Sequence, residues 1–185
     1  MSSDSISYVQ IGLADDLKPM VPPGDDPAAA SAIANFALAQ QTVFDTKLRR
    51  FLSGHCEAAP TIAAYAWELS GAMNTGVLDW IRQWPTEAAE IDPDFNATQQ
   101  DAIDTSARAA TKPTGSGLAI PESDDPETVY EITAFVFRMV RELRAEITIF
   151  ANSQYAAAPA SADHAWNLST SYLRLLGVWA LSWPE

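Results

Sequence analysis

Residues 25 to 85 return 99 positions later as residues 124 to 184 without a gap, and 17 of the 61 aligned positions are identical. Four of those identities are alanines in an alanine-rich chain and carry little weight, but all six tryptophans fall into matched pairs: Trp67 with Trp166, Trp80 with Trp179, and Trp84 with Trp183. An internal period of this kind constrains the fold more than any local propensity does, because the answer has to be two copies of one supersecondary unit.

Each copy reads as two long helices. Asp25-Asp26-Pro27 and Asp124-Asp125-Pro126 place a carboxylate where it can accept from free N–H groups and a proline at the first helical position, where its missing donor costs nothing. In the first copy the cap falls on Asp25 or Asp26, and Ile33, Ala37, Phe44, Leu48 and Phe51 form a helical stripe that Gly54 terminates. A second helix starts near Pro60 and runs to Trp84, stopped by Pro85. The second copy repeats both elements, with Asp125 as cap, and the polar residues of its last helix, His164, Asn167, Ser171, Arg174 and Ser182, crowd one narrow side, so that helix is expected to be the most buried. Two amphipathic hairpins cannot stay apart in water, so the expected fold is all-α: a four-helix bundle of two tandem-duplicated hairpins, 25–85 and 124–184, with approximate two-fold symmetry. The six indoles are expected to be hidden where the hairpins meet. Residues 1–24 read as an extended N-terminal arm ending in a turn, and 86–123 as a connector with a short helix near 97–110, all within one domain spanning 1–185.

The charge bears on partners. With 24 acidic against 11 basic residues, the net charge of −13 repels a polyanion, which argues against nucleic acid. It suits solubility, a salt-adapted host or a basic protein partner. Arg174 interrupts the apolar run of the last helix well short of the ~20 residues that a membrane span requires, so no span is expected. A single cysteine, Cys56, excludes an intrachain disulfide, and no basic segment precedes an apolar run near residue 1, so the expected compartment is the cytoplasm. No Glu-x-x-His occurs, which removes the ferritin-like di-iron pattern. His55-Cys56-Glu57 is a meagre metal signal, and neither metal nor cofactor is expected.

Duplication supplies an internal control: positions kept alike are packing, and positions that diverge in polarity are where one half has taken on another task. Gln40 and Gln41 replace Met139 and Val140; Tyr65 and Glu68 stand where the other half has His164 and Asn167. Lys47 against Glu146 and Asp45 against Arg144 are opposite charges at equivalent positions, as ion pairs across the junction would require. Two functional expectations follow. The first is a binder of an apolar or aromatic small molecule held between the halves. Its walls are Trp67, Trp80, Trp166 and Trp179 with Tyr65 and Tyr172, and Gln40, Gln41 and His164 orient polar groups. This extends to a cofactor-free enzyme working by acid–base assistance or shape-controlled cyclisation, with His164, Tyr65 and Glu68 as the catalytic candidates. The alternative is an acidic interaction module without catalytic activity, an inhibitor, immunity or assembly factor, in which surplus apolar surface at Leu78, Ile81 and Leu173 seats a partner or a second copy.

Overall fold

The computed structural model describes residues 21–82 and 120–181. Most of the N-terminal arm, the connector helix expected near 97–110, and Trp84 and Trp183 lie outside the described residues. Those residues form four helices and no strand: α1 (Pro27–Leu52), α2 (Pro60–Arg82), α3 (Pro126–Gln154) and α4 (Pro159–Leu181). They make a four-helix bundle. None of these helices is long and apolar enough to cross a membrane.

The paired aspartates set the topology, and each member of a pair does a different job. Asp26 and Asp125 cap their own helices, accepting from Ala29 N–H and Thr128 N–H at 2.9 Å each, with identical backbone angles (φ −68°, ψ 123°). Asp25 and Asp124 instead cap the second helix of the opposite hairpin. Asp124 accepts from Thr61 N–H (3.1 Å) and Ile62 N–H (2.8 Å) at the start of α2. Asp25 accepts from Ala160 N–H (3.2 Å) and Ser161 N–H (2.8 Å) at the start of α4. Ala59 and Ala158, which precede the prolines of α2 and α4, have no side-chain oxygen to offer, so the cap must come from elsewhere. The backbone adds a matching pair of bonds, Asp26 N–H to Ala157 C=O and Asp125 N–H to Ala58 C=O, both 2.8 Å.

These bonds put the starts of α1 and α4 at one end of the bundle and the starts of α2 and α3 at the other. The phenylalanines that recur in the repeat fix the register between: Phe36 stacks on Phe150 with ring centroids 4.1 Å apart, and Phe51 on Phe135 at 4.0 Å. Both contacts join α1 to α3 in antiparallel register, and each maps onto the other under the 99-residue offset. Around the bundle α1 packs on α2 and α3, and α4 on α2 and α3, the α3–α4 contact being the most extensive.

The core runs the length of the bundle, from Ile33, Phe44 and Leu48 through Met73 and Ile81 to Ile132, Ile147 and Leu176. As expected, α4 buries a larger share of its residues than any other helix, Trp179 and Tyr172 among them. Three local expectations need correction. Gly54 is not a left-handed stop: α1 ends in right-handed turns through Ser53, and the positive φ (94°) belongs to Gly24, in the turn that presents Asp25. Leu173 and Ile81 are buried and Leu78 is half-buried, so they leave no apolar surplus for a partner. Trp67 is 48% exposed and Trp166 half-buried, so recurrence of an indole in both halves did not mean burial.

Candidate functional site

The topology separates residues that the sequence groups into one acid–base site. Tyr65 and His164 each lie five residues inside helices that start at opposite ends of a bundle whose α1 is about 39 Å long at 1.5 Å per residue, so roughly 25 Å divides them along the axis. By the same count Trp67 and Trp166 stand about 18 Å apart along the axis, and Glu68 about 20 Å from His164. Tyr65 is half-buried, Glu68 exposed and His164 buried. One acid–base site cannot contain all three candidates. The proposed aromatic walls likewise do not line one chamber: Trp179 is in the core, Trp80 is half-buried, and Trp67 and Trp166 lie on the outer sides of different hairpins.

The two glutamines part company. Gln40 faces an outer groove of about 230 Å³ between α1 and α3, lined by Val43, Phe44 and Lys47 and by the four residues that correspond to these under the repeat, Met139, Glu142, Leu143 and Glu146. Gln41 is fully buried, and neither atom of its amide has a hydrogen-bond partner. Counting from Pro27 and Pro159, which share one end, Gln41 and Tyr172 stand at nearly the same level, about 21 and 20 Å along. The Tyr172 hydroxyl is also buried without a partner, and burial pushes the phenol above its ordinary value, so it remains a neutral donor. The equivalent residues of the other half are Val140 and Met73, both apolar and both buried.

Among the described residues neither charge inversion forms an ion pair across the junction: Lys47 and Glu146 line the α1–α3 groove without bonding, and Asp45 is met within its own hairpin. Asp45 binds Arg49 of its own helix (Nε to Oδ2, 2.7 Å) and accepts from Ser70 Oγ on α2 (2.7 Å); Arg49 lies over Trp67, 4.2 Å from the ring centroid. This chain from Ser70 through Asp45 and Arg49 to Trp67 spans the outer side of the first hairpin, from α2 to α1 and back.

The corresponding groove between α3 and α4 is open, with a volume of about 480 Å³. Arg144, which takes the place of Asp45, lies 5.3 Å from the centroid of Trp166. Thr148 takes the place of Arg49, and its hydroxyl is buried without a partner. Arg144 forms no ion pair among the described residues, and its Nε is buried without an acceptor. Ser169, equivalent to Ser70, turns away and donates to Trp166 C=O at 2.8 Å. Leu173 and Ile149 provide apolar wall, and Arg141 a second guanidinium at the rim. Of this set the sequence had pointed to Trp166 alone as a wall; Thr148, Arg141 and Ile149 were missed. The available signal was the exchange of Asp45 and Arg49 for Arg144 and Thr148 beside an unchanged tryptophan.

His55 does not build a metal site with its neighbours. Its Nδ1 donates to Phe51 C=O (2.8 Å), its Nε2 lies 3.3 Å from Glu131, and Cys56 and Glu57 are exposed. Among the described residues no three His, Cys, Asp or Glu side chains converge.

No protein-family model matches the chain, and no curated protein or solved structure shows significant similarity to it.

Proposed function

We propose that this chain is a binder of small molecules with an apolar or aromatic body, and that its site is the outer groove of the second hairpin. The observation that carries this is the open volume of about 480 Å³ beside Trp166, which combines apolar wall with a guanidinium and a hydroxyl whose buried atoms lack partners. Ligand pockets are of this size and make-up, mostly apolar with a few convergent polar groups. Unsatisfied buried polar atoms cost about 1–3 kcal/mol each, and a ligand that meets them recovers that cost. Binding without catalysis is favoured because the acid–base candidates lie at both ends of the bundle.

Amide and indole NMR shifts of the full chain, titrated with phenylacetate and its neutral analogue phenylacetamide, test this. The expected result is a saturable shift confined to Thr148, Trp166 and Leu173. Shifts centred on Gln41 and Tyr172 would move the site back between the halves, and no saturable shift with either compound would overturn the proposal.

A further inference from the structure

The ligand's polar group can be inferred by comparing the two outer grooves, given that the second hairpin's groove is a binding site. In the first hairpin a carboxylate, that of Asp45, is held between Arg49 and Ser70 beside Trp67. In the second, the tryptophan and its covering arginine are kept although the arginine comes from a different position, and the carboxylate is gone. We infer that the first groove carries its own headgroup and that the second takes the same group from solution: the α3–α4 groove binds a monocarboxylate with an aromatic or branched apolar body. The carboxylate accepts from Arg144 and from Thr148 Oγ, and the body lies along Trp166 and Leu173.

Three physical points select a carboxylate over other anions. A guanidinium presents parallel N–H groups that match a planar carboxylate, and stacking on an indole holds it in one orientation. The net charge of −13 raises the cost of bringing in a second negative charge, so a monoanion is favoured over a phosphate dianion. A neutral amide of the same shape offers Arg144 a single carbonyl oxygen and no countercharge, where a carboxylate offers two acceptor oxygens and the opposite charge.

Isothermal titration of the full chain with phenylacetate, phenylacetamide and inorganic phosphate tests the inference. Phenylacetate is expected to bind at one site, at least tenfold more tightly than either of the others. The double variant Arg144→Asp/Thr148→Arg copies the arrangement of the first hairpin and is expected to lose phenylacetate binding with its helical circular dichroism unchanged. The reverse exchange, Asp45→Arg/Arg49→Thr, is expected to raise the stoichiometry from one to two. Equal binding of phenylacetamide or of phosphate would overturn the carboxylate assignment while leaving the groove a binding site. Binding of none of the three compounds would overturn both. A stoichiometry that stays at one in a folded Asp45→Arg/Arg49→Thr variant would refute the internal-headgroup comparison.

Discussion

Between the helices of the first hairpin Asp45 ties Ser70 to Arg49, and Arg49 covers Trp67; between those of the second, the equivalent tryptophan carries an arginine with no carboxylate to meet it among the described residues. The two hairpins agree closely at the helix starts and aromatic stacks through which they touch each other, though not in the α1–α3 groove. They share the crossed aspartate caps, the paired Asp–Ala backbone bonds and the two phenylalanine stacks. They differ on their outer sides and at one level of the core. Contacts between the copies are constrained twice over, since a change in either repeat disturbs the same joint. Surfaces within one hairpin are constrained once and are free to diverge.

The comparison can be broken most severely at the tryptophans. Trp179→Ala removes a buried indole and is expected to cost about 3–5 kcal/mol in urea denaturation, whereas Trp67→Ala loses only a half-exposed ring under Arg49 and should cost about 1 kcal/mol or less. Similar losses at both would show that Trp67 is buried in solution. Next come the crossed caps. Asp124→Ala and Asp25→Ala should each cost about 2 kcal/mol, and hydrogen exchange should speed up in the first turn of α2 for Asp124→Ala and of α4 for Asp25→Ala. Faster exchange in the variant's own hairpin instead would contradict the crossing.

Asp124 also makes the caps visible to pH. Burial pushes its carboxyl up, but hydrogen bonds from Ile62 N–H, Thr61 N–H and the Ser123 and Thr61 hydroxyls together pull it further down, leaving it below the ordinary 3.8. A lowered folded-state pKa means that the stabilisation is complete above 3.8 and is lost as pH falls through the folded value. Acid titration of Asp124→Asn should therefore show a shallower fall in stability below about pH 4 than the unaltered chain. The smallest effect concerns the polar level of the core. Gln41→Leu with Tyr172→Phe removes all three unpartnered atoms at nearly constant volume and should stabilise by about 1 kcal/mol; destabilisation would mean that water satisfies them.

Much of the architecture was readable from residues alone. The 99-residue offset, the prolines at helix starts and the apolar stripes of α1 and α3 lead directly to four helices in two hairpins. What could not be read was non-local. Asp25 and Asp26 are neighbours with the same chemistry, and only the approach of the other hairpin assigns them to different helices. The recurring tryptophans misled because a half-exposed indole kept under a guanidinium looks, in a sequence, like one kept in a core. Asp45 and Arg144 were noticed as a charge inversion, but they do not pair across the junction because Asp45 turns to Ser70 on α2 and to Arg49, and Arg144 turns to Trp166 on α4. Arg144 and Thr148 are brought beside Trp166 only by the α3–α4 register.

Because Asp25 finishes α4 and Asp124 finishes α2, each hairpin leaves with its partner one thing that it lacks alone. Severed between Arg82 and Ile120, the two pieces should each fray at the opening of their second helix, yet on mixing they should recognise one another at equal proportion and regain a cooperative unfolding transition. Two such near-twins would make a split protein whose halves are joined by a pair of exchanged carboxylates.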